Sequence, residues 1–186
     1  PYKRFDMSEY ADKEANLEFC GSDKVYKNGK PGNVTEFVAE HPECVLLFDE
    51  IEKAHINIIY LFLQILDAGR IRDNFTDEEV CFSKAVIIFT TNVGKNLYDD
   101  PAIVNLSAVP RKKILKALAT DVDPTTGVPL FPAAICSRFA SGNVVMFNHI
   151  GASQLIKIVD KELKVNAARL GDGVSISLSF DSEVPV

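Results

Sequence analysis

The stretch Cys44–His55 reads CVLLFDEIEKAH: an apolar run without alternation meets two adjacent acids, and a helical pattern follows. An unbroken run of this kind marks a β-strand covered on both faces. Beyond it, Ile51, Ala54, Ile58, Leu61, Phe62, Ile65 and Leu66 recur at three- and four-residue spacing, and Gly69 ends the helix they define. A second buried strand, AVIIFTTN (Ala85–Asn92), again finishes on a polar residue, and Asn143–Phe147 reads as a third. Buried strands alternating with helices imply an α/β sheet with helices on both faces. Ligands of such sheets bind beyond the carboxyl ends of the strands. Asp49, Glu50 and Asn92 stand just past the last strand residues, so these polar groups belong to the rim where a ligand would sit and not to the core.

The flanks supply the remaining elements. Lys3–Asp6 is expected to form a short strand, and Ser8 to cap a helix running to about Phe19, with Gly21 suited to the left-handed position after it. Turn formers make residues 21–32 a loop, and Asn33 with Glu36 forms a capping box for a helix that stops before Pro42. Arg70–Phe82 reads as a polar-tipped hairpin. Residues 94–110 are irregular, Arg111–Ala119 and Pro132–Phe139 are helical, and a further helix runs from Gly151 to about Leu170. The strict alternation of VSISLSF (Val174–Phe180) predicts a half-exposed strand.

The totals exclude several classes. A chain of 186 residues buries roughly 70% of its unfolded surface and needs no staples. Hydrophobic residues at 47% and charged residues at 25% are globular values that argue against disorder. A net charge of −6 argues against a nucleic-acid binder held by a broad basic face. Cys20, Cys44, Cys81 and Cys136 form no C-x-x-C pair and sit among apolar neighbours, as expected of reduced, buried thiols in a cytoplasmic protein. His41, His55 and His149 lack metal-ligand spacing. No apolar run reaches membrane-spanning length, and PYKRFDMSEY is not a signal peptide. The chain has no initiator Met and is expected to be a piece of something longer.

Apolar residues followed by Asp-Glu form the pattern of a Walker B strand. Its first carboxylate holds the hydration shell of Mg²⁺, a hard ion that prefers oxygen. Its second orients and activates the water that attacks a γ-phosphate. The alternative is that Asp49 merely caps the following helix, with Glu50 favourable in its first turn.

The segments DMSEY, LLFDEIEKAH, FLQILDAGRI and VIIFTTNVG stand in this order. Together they resemble the AAA+ module of the Clp/heat-shock family of protein unfoldases and disaggregases, closest to the second ATPase module of its two-ring members. The resemblance covers about residues 3–170. It implies ATP and Mg²⁺ as cofactors, a ring of identical copies, a hexamer in the parent protein, and unfolded or aggregated protein as substrate. It also implies a large α/β subdomain over residues 1–150 and the beginning of a small C-terminal subdomain over 151–186. Asp49 and Glu50 then match the Walker B pair, and Asn92 the sensor-1 position that places the attacking water. Arg138, in FPAAICSRF, matches the arginine finger offered to a neighbour's ATP, where a guanidinium stabilises charge on the transferring phosphoryl group. An ordinary surface arginine is the alternative, because ASG interrupts the family's spacing after it. Tyr26 falls where the family carries the pore-loop aromatic that grips a threaded chain, though G-Y-V-G reads V-Y-K-N here. Ile56 stands where many relatives have Pro, and the hairpin after Arg70 carries an extra residue.

One part of the resemblance is missing. No G-x-x-x-x-G-K-[ST] segment, whose backbone N–H groups would cradle phosphates, occurs in the sequence. Gly29-Lys30 and Gly94-Lys95 are followed by Pro31 and Asn96 and do not qualify. The chain is expected to begin just after that segment and to end before the sensor-2 arginine. The family's P-loop strand is central, so without it two neighbouring strands would lose backbone partners. The expected function is therefore that of a fragment of an ATP-driven protein-remodelling chaperone, inactive by itself. No Ile-Gly-Phe/Leu tripeptide lies between Gly94 and Phe131, which favours disaggregation or disassembly over coupling to a peptidase. A non-catalytic AAA+-like interaction module is the alternative. A nucleic-acid motor is disfavoured by the acidic balance.

Overall fold

A computed structural model describes residues 1–25, 29–123 and 126–171. Five strands follow in chain order: β1 (Tyr2–Asp6), β2 (Val45–Asp49), β3 (Arg70–Arg72), β4 (Glu79–Cys81) and β5 (Val86–Phe89). The helices are α1 (Ala15–Cys20), α2 (Asn33–Glu40), α3 (Ile56–Ala68), α4 (Lys95–Tyr98), α5 (Arg111–Thr120), α6 (Ala133–Phe139) and α7 (Ala152–Gly171). The chain divides into two units, Pro1–Met146 and Phe147–Val186.

In the first unit β1, β2 and β5 form a parallel sheet in the order β1-β2-β5. The register aligns Phe5 with Phe48 and Phe48 with Phe89, so three rings cross the sheet in one row. Their centroids lie 5.4 and 5.7 Å apart. Phe62 of α3 meets Phe48 edge-on at 4.6 Å, and Phe19 of α1 meets Phe62 at 5.3 Å. Helices α1, α2 and α3 thus gather on the face of Leu46 and Phe48, both fully buried. The run expected to be covered on both faces is fully buried on this one only. On the other, Val45 and Leu47 are half-buried, while Val86 and Ile88 are 56% and 44% exposed.

Asp73 ties the antiparallel pair β3–β4 to the start of α2. Only 2% exposed, it takes the N–H of Phe75 (3.0 Å) and Thr76 (2.9 Å) on one oxygen. Its other oxygen takes the Gly32 N–H (2.9 Å) and the Thr35 hydroxyl. Gly32 is required by close approach, since a Cβ there would lie 2.3 Å from the Phe19 carbonyl oxygen and 2.5 Å from Cys20 Cα.

Several expectations are corrected. The helix from Ser8 to Phe19 is broken in two. Asp6, not Ser8, makes the cap, accepting the Ser8 N–H (3.0 Å) over a 3₁₀ turn at Met7–Tyr10, and α1 starts only at Ala15. The break lets Met7, Tyr10, Ala15 and Phe19 all face the core. Gly21 has the positive φ expected of a glycine there, 86°, but its ψ of 162° is not that of a left-handed helical cap. Asn33 is the first residue of α2 and not its cap; Gly32 holds that position, with its N–H given to Asp73. Residues 94–110 contain the short α4 and a 3₁₀ turn at Leu106–Ala108. Asn143–Phe147 is not a strand. A strand needs a partner for its backbone groups, and β5 is an edge of the described sheet; Val145 is 71% exposed.

The second unit is described through α7, where the Gly151 N–H donates to Gln154 Oε1 (2.9 Å) at the start of the helix. Tyr26 and Val174–Phe180 lie outside the described residues.

Candidate functional site

The carboxyl ends of β2 and β5 bring Asp49, Glu50 and Asn92 together. Asp49 Oδ1 accepts the Thr90 hydroxyl, and Oδ2 accepts Arg4 Nε at 2.9 Å and Nη2 at 2.5 Å. The Thr90 hydrogen bond, then the Arg4 guanidinium, holds this carboxyl below the usual carboxylate range. Asp49 is thereby kept ionised. It caps no helix: the cap of α3 is His55, whose Nδ1 accepts the Asn57 N–H at 3.2 Å.

Glu50 has φ 56° and ψ 52°, the left-handed conformation that a residue with a Cβ adopts at a cost. This turn ends the strand and opens a 3₁₀ turn at Ile51–Lys53. It is held by the Glu50 N–H on Thr90 Oγ1 and the Ile51 N–H on the Thr90 carbonyl, both at 3.0 Å. The Glu50 carboxylate then accepts Asn92 Nδ2 at 2.9 Å. Paired acids at a strand end, one fixed as an anion and one held beside a side-chain amide, suit the control of a cation's water shell and of a reacting water.

Three contributors escaped the sequence reading. Thr90 had a signal in the polar strand end TTN, and Glu52 one in the acidic cluster DEIE. Arg4 had none, because its part in the site depends on β1 pairing with β2, with Asp6 beside Asp49.

Arg138 is placed elsewhere. Its guanidinium pairs with Asp67, through Nε and through Nη2 at 3.0 Å. Asp67 lies eleven residues beyond Ile56, the start of α3, a rise of roughly 16 Å along the helix. The side-chain hydrogen bond from Arg138 is the main reason the Asp67 carboxyl lies below its ordinary range. Arg111 of α5 donates to the carbonyls of Ala140 (2.5 Å) and Gly142, fixing the ASG segment behind the helix that carries Arg138.

Asp49 offers the hard oxygen donors that Mg²⁺ prefers, but here both oxygens are engaged, one by Thr90 and one by Arg4. Among the described residues no group of three or more acidic, histidine or cysteine side chains gathers to hold a metal.

A parallel α/β sheet with paired acids and an asparagine at its carboxyl edge sets a polar cluster where ligands of such sheets bind. The description "AAA domain (Cdc48 subfamily)" matches residues 1–124, and the chain belongs to this family. It is 48% identical over 93 residues to a probable ATP-dependent Clp protease ATP-binding subunit of Chlamydia pneumoniae, covering 50% of this chain and 11% of that protein. It is 32% identical over 182 residues to the chaperone protein ClpB of Staphylococcus aureus strain N315, covering 97% of this chain and 20% of that one. Among solved structures, Hsp104 in its closed state with ATPγS and FITC casein superposes with TM-score 0.71 at 27% identity, over 90% of this chain and 27% of that one. The chain thus spans about a fifth of the length of the ClpB relatives it matches. The expected α/β AAA+ fold and the likeness to Clp chaperones hold.

Proposed function

We propose that this chain is the hydrolytic-strand part of an ATP-dependent protein-remodelling chaperone that threads or disassembles protein substrates. The observation that carries the reading is the Asn92–Glu50 hydrogen bond of 2.9 Å beside Asp49 at the end of β2. In this reading Asp49 would hold the water shell of Mg²⁺, Glu50 would accept a proton from the attacking water, and Asn92 would orient that water. Bound Mg²⁺ would supply neutralisation of charge on the phosphates.

Arg138, on a helix that pairs with Asp67 and not with the strand-end acids, is assigned to the site of a neighbouring copy. Release from Asp67 is then part of ring assembly. Residues 1–150 are assigned to the large subdomain and 151–186 to the small one. The parent is a hexamer acting on unfolded or aggregated protein, with Tyr26 as the gripping residue. These assignments draw support from the likeness to ClpB and to Hsp104. A cytoplasmic setting draws support from four free cysteines. No helix among the described residues is long and apolar enough to cross a membrane.

The test is calorimetric titration of Mg·ATP into this chain, and into the chain preceded by the P-loop segment of a ClpB relative. Binding only in the second case, followed by hydrolysis that Glu50→Gln abolishes, supports the reading. Binding in neither case overturns it and favours the non-catalytic interaction module. Binding by the chain alone overturns the assignment of the phosphates to a P-loop.

A further inference from the structure

Glu52 lies two residues beyond the paired acids, in the 3₁₀ turn that the left-handed Glu50 opens. Its carboxylate makes three hydrogen bonds to the end of β5 and the residues after it. Oε2 accepts the Thr91 hydroxyl at 2.7 Å. Oε1 accepts both the Asn92 main-chain N–H at 3.1 Å and the Asn92 side-chain amide at 3.2 Å. The same side-chain amide donates to Glu50 at 2.9 Å. An amide –NH₂ has two donors, and here each goes to a different acid. Thr91 Oγ1, itself held by Glu52, accepts the Val93 N–H at 3.1 Å, so the grip continues into the following loop.

We infer that Glu52 is a positioning residue for Asn92: it fixes the backbone and the side-chain direction of the residue after the strand, and so decides that the free amide hydrogen points at Glu50. This inference deepens the hydrolytic reading and rests on it for its functional meaning. The one side-chain amide of Asn92 thus bridges both carboxylates. Glu52 also gives Asn92 a standing partner, so the asparagine keeps one hydrogen bond when Glu50 turns to a water. Removing Glu52 leaves Asn92 held by Glu50 alone, with its backbone N–H unclaimed. The acid after the pair therefore acts through Asn92 and not on the reacting atoms.

The test uses the whole chain and needs no nucleotide, so it succeeds or fails separately from the titration with Mg·ATP. The ¹⁵N resonances of the Asn92 side-chain amide, assigned by their loss in Asn92→Ala, are followed in Glu52→Ala and Glu52→Gln. The Asn74 amide, which donates to the Gly21 carbonyl at 3.0 Å, is the internal control. In Glu52→Ala the Asn92 amide is expected to shift and its order parameter to fall below about 0.6, the flexible range. Asn74 should not change. Glu52→Gln restores the parent behaviour, because one amide oxygen serves both Asn92 donors and its –NH₂ donates to Thr91 Oγ1. An Asn92 amide that is unmoved in Glu52→Ala overturns the inference. So does a change shared equally by Asn74, which would mark general loosening, and so does a failure of Glu52→Gln to restore it.

Discussion

Substituting Asp73 with Asn keeps the shape and removes the charge at a group that is 2% exposed. The new –NH₂ must replace one oxygen. Facing Phe75 and Thr76 it would confront two N–H donors, so it is expected to take the other side, where only the Gly32 N–H cannot turn away. That leaves one buried donor unpaired, at about 1–3 kcal/mol. The bonds on the retained oxygen also fall from charged to neutral strength, adding about 1–2 kcal/mol. The expected loss is about 3 kcal/mol. With a urea slope of about 2 kcal/mol/M for a chain of this size, the midpoint falls by about 1.5 M at unchanged slope. The pH dependence follows from the direction of the shift. Burial pushes the Asp73 carboxyl up, but hydrogen bonds from the Thr35 hydroxyl and the amides of Thr76, Gly32 and Phe75 outweigh it and hold it below the ordinary value. Its contribution is therefore complete above the unfolded pKa of about 3.9 and is lost as pH falls through the lower folded value. Urea unfolding at pH 7, 5, 4 and 3 should show a constant gap between parent and variant at the upper two values and a closing gap below. A midpoint shift under about 0.3 M at pH 7 would refute the account of this clamp.

Phe48→Ala empties the centre of the ring cluster and should cost about 3–5 kcal/mol, read as a lower melting temperature by circular dichroism. Gly32→Ala drives a Cβ against backbone atoms at 2.3 and 2.5 Å, and should yield chain without cooperative thermal unfolding; a normal melt would show that α1 and α2 part more easily than described. Cys81, expected to be buried with the other three, is exposed because it lies on the outer side of β4. Its thiol is lowered by hydrogen bonds with Ser83, while burial, helped by the Asp73 charge, pushes Cys20 up to about 12. A thiol reagent at pH 7.5 should label Cys81 first, and Cys20 only once urea has unfolded the chain, with mass spectrometry of the peptides as the readout.

The strands read from Cys44–Phe48 and Ala85–Asn92 form close to where the sequence placed them, at Val45–Asp49 and Val86–Phe89, although the second face their unbroken runs predicted to be covered is half-exposed. Asp49, Glu50 and Asn92 were legible because a polar residue ending an apolar strand has only the rim to go to. Caps were read less well. Ser8 and Asn33 have the chemistry of caps, but Asp6 and Gly32 took those places through contacts with Ser8 and Asp73. The Asp73–Gly32 contact spans 41 positions, which local pattern does not register. Arg4 and the Arg138–Asp67 pair were hidden likewise, since both depend on which elements become neighbours. Asn143–Phe147 failed for the opposite reason. Its composition suits a strand, but pairing is a property of two segments, and no described strand takes it as a partner.

The left-handed backbone at Glu50 bears on how the chain tolerates change. At φ 56° a glycine or an asparagine would sit there with less strain, so random substitution followed by selection for stability alone should drift away from the acid. A library at this position, sorted once for folded protein and once for function, would separate the two demands. Glycine is expected to be enriched in the first sort and glutamate in the second. Position 50 is thus a place where the backbone asks for one residue and the chemistry at the strand end for another.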